Sequence, residues 1–242
     1  MKKKVTPYKD SDLDKKQQVS DMFDNISGGY DGLNRIISLG MDKSWRKKVI
    51  RAIVGHQPKN VLDIATGTGD LAISLAEKGL NNIVGLDLSK GMLEVADKKI
   101  KERNLEDQIE LVKGDSENLP YQDDHFDAIC VAFGVRNFEN LEKGLAEILR
   151  VLKPGGLFIV LETAVPKNFP FKQGYKIYTK YILPFIGKIF SKDKSAYGYL
   201  SESASVFPNG EEFNNILRKI GFKDVQSKPQ TMGVACIYKS SK

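Results

Sequence analysis

The stretch Val61-Leu-Asp-Ile-Ala-Thr-Gly-Thr-Gly-Asp70 limits the possible folds of this chain more than any other. It reads as a buried strand, a glycine turn and the start of a helix. A second apolar run, Ile83-Val-Gly-Leu-Asp87, ends on a carboxylate about twenty residues after Gly67, the spacing of a nucleotide-binding strand–helix–strand unit. Gly67 and Gly69 remove the Cβ atoms that would hold a ligand away from the backbone. Asp87 has acceptors for both hydroxyls of a ribose. These residues predict an adenosine-bearing ligand.

The pattern Gly67-x-Gly69-x-x-Ala72 also fits a dinucleotide, so the acids around it have to choose. Asp63 lies inside the first strand, where a carboxylate can meet an ammonium group but would repel a pyrophosphate. Lys113-Gly-Asp115-Ser116-Glu117 follows a third strand, Ile109–Val112, and brings another polar end to the same cleft. Leu152-Lys-Pro-Gly-Gly156 leads into a fifth strand, Leu157–Glu162. Carboxylates on successive strand ends suit a cationic ligand without phosphate, such as S-adenosylmethionine. The alternative is a set of turn glycines and solvated acids.

The order of elements predicts the fold. Strands at Asn60–Ala65, Asn82–Asp87, Ile109–Val112, Phe126–Phe133 and Leu157–Glu162 alternate with helices at Gly69–Lys78, Lys90–Arg103 and Asn140–Leu152. This implies an α/β, doubly wound, mostly parallel sheet with right-handed crossovers. Two last apolar runs, Phe222–Ser227 and Gly233–Tyr238, predict an antiparallel edge hairpin and bring the sheet to seven strands. Residues 1–57 are expected as an N-terminal helical cap, with two helices between Val19 and Val54. Residues 58–242 are expected as the ligand-binding domain, carrying a helical insertion at about 166–206.

Composition excludes several classes. The chain has 242 residues, a net charge of +6 and two cysteines. No apolar run is long enough to span a bilayer. Lys2–Lys4 is followed by no apolar stretch of the kind a signal peptide requires, so a cytoplasmic location is expected. Cys130 and Cys236 sit in apolar, strand-like contexts, and His56 and His125 have no ligand spacing around them; no metal site is predicted. The positive charge permits nucleic acid or anionic lipid as a partner, but no RNA-binding module is visible. A homo-oligomer is compatible with the sequence.

Beyond the glycine turn, Phe133-Gly-Val-Arg-Asn137, Arg150-Val-Leu-Lys-Pro-Gly-Gly156, Tyr197-x-Tyr-Leu-x-x-Ser203 and Phe207-Pro208 resemble the motifs of the quinone-biosynthesis C-methyltransferases. Tyr30-Asp-x-Leu-Asn34 and Ser38-x-Gly40 before Trp45 extend the likeness over roughly residues 22–235. The resemblance implies a Rossmann-like class I methyltransferase that uses S-adenosylmethionine as cosubstrate. It further implies methyl transfer to a ring carbon of a reduced polyprenyl quinone, with demethylmenaquinol favoured and a benzoquinol as the alternative. By position it implies methyl-donor contacts at Thr68, Asp87, Asp115 and Ser116, beside Asp63, Gly67 and Gly69 already singled out. Ala132 and Asp42 depart from the serine and histidine that many members carry there.

The implied chemistry points to three further residues. Arg136 supplies a fixed cation for a developing oxyanion, or else forms a structural ion pair. Asn137 orients that arginine or caps the following helix. Tyr30, with Asp31, closes over the donor and offers an aromatic face to its sulfonium, or packs as a hydrophobic staple. Segment 169–190 carries aromatic residues among regularly placed lysines. It reads as a structural cover or as a peripheral contact with the inner face of a membrane.

Overall fold

The computed structural model describes residues 5–182 and 194–242. Seven strands form one sheet: β1 (Val61–Ile64), β2 (Ile83–Asp87), β3 (Ile109–Lys113), β4 (Phe126–Ala132), β5 (Leu152–Thr163), β6 (Lys223–Gln230) and β7 (Ala235–Ser241). Their spatial order is β3-β2-β1-β4-β5-β7-β6. β1 to β5 run parallel, and β7 runs antiparallel to both β5 and β6. The doubly wound sheet with its edge hairpin is therefore as expected.

Burial explains the strand sequences. Every residue of β1 is buried, because helices cover both faces of a parallel sheet and leave no polar side. β6 is mostly exposed and contains Pro229, which an edge strand tolerates. Alternate residues feed opposite layers. Leu62, Ile64, Ile129, Val131, Phe158 and Val160 join one core with α6 (Leu141–Val151) and α9 (Glu211–Ile220). Val61, Ile83, Ala128, Cys130, Ile159 and Leu161 join the other. There they meet α3 (Met41–Gly55), α4 (Asp70–Ala76) and Ile100 of α5 (Lys90–Lys101).

The N-terminal part holds three helices where the sequence suggested two: α1 (Lys15–Ile26), α2 (Tyr30–Ile37) and α3. Asp14 caps α1 by accepting from the Gln17 N–H at 2.7 Å, so the helix starts before its apolar stripe does. Trp45, Val49 and Ile53 put α3 into the sheet's own core. Val19, Met22, Ile26 and Leu33 of α1 and α2 form a separate small cluster with Met92 and Tyr199. The insertion contains α7 (Phe171–Ile177), a wider helical turn at Tyr178–Ile182 and α8 (Lys194–Val206). Residues 183–190 of the aromatic, lysine-rich segment lie outside the described residues.

β1 is flanked by β2 on one side and β4 on the other. The chain winds outward in both directions from that point, which opens a crevice at the carboxyl ends of these strands.

Candidate active site

The crevice holds a cavity of about 700 Å³, its open mouth included, between the ends of β1, β2, β3 and β4 and helix α1. Gly67 lines it at φ +58°, and a Cβ added there would meet no protein atom within 4 Å. A side chain would strain the turn and take up ligand space. Asp87 lines the cavity at the end of β2. Its carboxylate accepts from the Gly67 N–H at 2.8 Å and the Ser89 N–H at 2.9 Å. Burial nevertheless pushes its pKa up to about 6.

The other predicted donor residues take different positions. Asp63 does not line the cavity. It lies level with Gly85, two residues short of the Asp87 position and under the glycine turn, where it accepts from the Thr66 hydroxyl at 2.7 Å and the Cys130 thiol at 3.4 Å. Burial pushes its pKa up to about 6. The Thr68 hydroxyl donates to Asp31 at 2.6 Å, and Asp31 also pairs with Lys99. Thr68 and Gly69 thus belong to the turn's support, while Ser116 and Asp115 line the cavity. Asp115 is paired with Lys16 at 2.6 Å, so its charge is already matched. Two of the three strand-end acids line the cavity: Asp87, held by two backbone N–H groups, and Asp115, held by Lys16 and by the Glu117 N–H at 2.9 Å.

Helix α1 straps this mouth. Lys15 donates to the carbonyls of Arg136 at 3.2 Å and Phe138 at 2.7 Å, and its neighbour Lys16 reaches across to Asp115. Sequence reading did not identify this clamp.

A second cavity, about 840 Å³ with its mouth, lies beside the first. Ile37, Trp45, Phe133, Tyr175, Tyr178 and Leu200 give it an apolar wall, and Arg46 and Arg136 give it two cations. Tyr30 and Phe133 line both cavities. They form the partition between them. Phe133 holds φ +61° at the end of β4, an uncommon conformation for an aromatic residue. Its ring packs against Trp45 with centroids 6.3 Å apart.

Arg136, whose side chain is 7% exposed, is ion-paired with Glu162, the fully buried last acid of β5. Glu162 also accepts from the Thr163 N–H at 2.7 Å. Asn137 lines the first cavity and accepts from the Tyr199 hydroxyl at 3.1 Å. Desolvation raises the pKa of Tyr30, against a downward pull from Asn34, Arg136 and Arg46. The Tyr178 hydroxyl donates to the Ile37 carbonyl at 2.6 Å and ties the insertion to α2. Glu162 was visible in the sequence as a lone acid closing an apolar strand. Arg46 was visible only as the residue after Trp45.

The fold is that of the class I S-adenosylmethionine-dependent methyltransferases. A crystal structure described as a SAM-dependent methyltransferase, possible histamine N-methyltransferase, from Thermotoga maritima superposes with a TM-score of 0.62. It is 20% identical and covers 92% of this chain and 99% of its own, a likeness of fold. Residues 11–242 match the model of the ubiE/COQ5 methyltransferase family. The demethylmenaquinone methyltransferase of Bacteroides fragilis is 44% identical over 240 residues, 99% of this chain and 98% of that protein. The ubiquinone/menaquinone biosynthesis C-methyltransferase UbiE of Geobacter sulfurreducens is 39% identical over 242 residues, covering 99% and 93%. The chain belongs to the ubiE/COQ5 methyltransferase family, and it is an S-adenosylmethionine-dependent enzyme.

Proposed function

We propose that this enzyme methylates a ring carbon of a reduced polyprenyl quinone, converting demethylmenaquinol to menaquinol. One observation carries the reading: two cavities of suitable size meet at a partition formed by Tyr30 and Phe133. The polar one suits the donor and the apolar one suits an aromatic ring. A relative named demethylmenaquinone methyltransferase, matched over almost the whole chain, supports the choice of quinol.

Asp87 would hold the ribose of the donor, Gly67 would allow its close approach, and Asp115 and Ser116 would line the opposite side. Tyr30 turns an aromatic face toward a positive centre, which attracts cations. When bound, S-adenosylmethionine supplies an electrophilic methyl group: the ring carbon's electron pair takes the methyl, and the carbon–sulfur pair stays on sulfur.

Arg136 serves the acceptor. The ring carbon becomes nucleophilic when a neighbouring hydroxyl, with an ordinary phenol pKa near 10, loses its proton. A fixed guanidinium beside that oxygen favours the anion. Arginine is already protonated and cannot take the proton itself; its charge lowers the pKa of the hydroxyl, and the proton passes to solvent. The ring hydrogen then leaves as a second proton while the oxygen regains one, for a net release of one proton. Asn137 links the turn bearing Arg136 to Tyr199 and acts as a positioning residue.

Helices α1 and α2 act as a lid in this reading. A substrate with a prenyl tail also requires a route from lipid. Phe169 is 80% exposed, Leu39 73% and Met232 67%, and Lys167, Lys172, Lys176 and Lys180 are exposed in a stretch without an acid. Such a surface suits peripheral contact with anionic lipid.

The test offers the protein, under reducing conditions, demethylmenaquinol and the corresponding demethylated benzoquinol with a labelled methyl donor. Label entering the naphthoquinol faster supports the reading. Faster entry into the benzoquinol would move the assignment to ubiquinone synthesis.

A further inference from the structure

Two guanidinium groups stand on the wall of the second cavity, Arg136 after β4 and Arg46 on α3. Both are anchored through one terminal nitrogen. Arg136 engages Glu162 through Nη1, and Arg46 engages Asp42 through Nη1 at 2.9 Å, with Asp70 farther off at 3.4 Å. In both side chains the buried Nε–H has no hydrogen-bond partner. These Nε atoms are enclosed, so the donor each guanidinium can offer to the cavity is Nη2, which has no hydrogen-bond partner among the described residues and is not one of the enclosed atoms. The acid on this wall, Asp42, is occupied by Ser38 at 2.6 Å and by Arg46. It offers little to a cationic ligand.

The chain's own phenol already registers both cations. The Tyr30 hydroxyl is drawn toward ionisation by Arg136 and Arg46 together, although desolvation outweighs them. The guanidinium carbon of Arg46 lies 5.8 Å from the centre of the Phe133 ring, beside the partition between the cavities. A planar guanidinium keeps its donors in a fixed fork, so two of them can each take a separate oxygen of one flat ring.

We propose that Arg46 is a second substrate-binding residue, which with Arg136 grips the two oxygens of a 1,4-dihydroxy aromatic ring, one guanidinium to each oxygen. The proposal rests on the reading of the second cavity as the acceptor site. It adds a specificity rule: a ring with one oxygen forfeits one grip. A site built to bond a polar substituent rejects analogues that lack it.

Trp45 is the only tryptophan of the chain and lines the same cavity, so its fluorescence reads ring binding without turnover. Under anaerobic, reducing conditions the probes are 1,4-dihydroxynaphthalene and 1-naphthol. The wild-type protein is expected to prefer the diol by about tenfold or more, the scale of one hydrogen bond to a charged group. Arg46→Gln is expected to weaken the diol by about tenfold and leave 1-naphthol within about twofold, with S-adenosylhomocysteine affinity unchanged. Arg46→Lys retains a cation near Asp42, folds even where the glutamine variant does not, and is expected to keep only part of the preference. Equal weakening of both probes in either variant, or no weakening, overturns the proposal. Failure of the wild type to methylate any quinol would sink the proposed function while leaving the diol preference to be measured by itself.

Discussion

Glu162, fully buried at the end of β5, is ion-paired with Arg136 on the wall of the second cavity. The pair holds the guanidinium in place and balances its charge where both side chains are almost enclosed. Glu162→Ala leaves that charge buried and unpaired, which costs about 3–5 kcal/mol. Arg136→Ala removes the cation and lowers kcat by about a hundredfold or more, with donor affinity unchanged. Chemical denaturation checks the first outcome, and steady-state kinetics with calorimetry of S-adenosylhomocysteine check the second.

Asp87 gives a pH dependence with a definite sign. Its pKa is pushed up to about 6 by burial, above the ordinary 3.9 of an aspartate. As pH falls through 6 the folded protein takes up a proton that the unfolded chain takes up only near 4. The acid therefore weakens folding above pH 6, and the penalty is relieved between 6 and 4. Binding follows the opposite course, since a protonated carboxyl cannot accept from both ribose hydroxyls. Affinity for S-adenosylhomocysteine should drop below pH 6 by up to about tenfold per unit. Calorimetry across pH 5 to 8 tests this, and Asp87→Asn should be weak throughout without that dependence.

Gly134 packs where no side chain fits. A Cβ there would lie 2.6 Å from the Ala65 Cβ and 2.9 Å from Val131 Cγ1. Ala65 follows β1 at φ +53°, just before the glycine turn, so the clash presses on that turn. Gly134→Ala is expected to cost about 1–3 kcal/mol and to weaken donor binding. Thermal melts with and without S-adenosylhomocysteine measure both effects.

The exposed lysines of α7 and the turn after it should act through charge. Partial, salt-sensitive binding to anionic liposomes is expected. Reversal of Lys172, Lys176 and Lys180 to glutamate should abolish it and leave turnover of a short-chain, detergent-dispersed quinol intact. Flotation assays at two salt concentrations decide the matter, and binding unchanged by the reversal contradicts it.

The sheet was legible because its signals are local. A strand buried on both faces reads as an unbroken apolar run, and a left-handed turn at Gly67 favours glycine, so β1, the turn and Asp87 stood out. Strand limits were less legible. β5 begins at Leu152 rather than Leu157, because Leu152 already pairs with Phe126 before the Lys-Pro-Gly-Gly stretch bulges out of register, with Gly155 at φ +75°. The break between α2 and α3 was hidden by apolar residues on both sides of it.

Within the site, the acids were found but not their surroundings. Asp63 and Asp87 look alike as carboxylates in apolar strands. Both point to the same face of the sheet, and depth decides: Asp63 lies level with Gly85 and meets Thr66 and Cys130, while Asp87 ends β2 and lines the cavity. Lys16 finds Asp115 across 99 positions of chain, and no local pattern announces a contact of that kind. Arg46 was missed for the same reason: its importance comes from facing the cavity that also holds Arg136.

The most direct test of the central claim locates the transferred methyl group. The protein is incubated anaerobically with demethylmenaquinol and a methyl donor labelled with carbon-13, and the product is analysed by nuclear magnetic resonance. The account predicts label on the ring carbon beside a hydroxyl, with both hydroxyls free. Label on a hydroxyl oxygen, or none on any quinol while donor binding is intact, would contradict it.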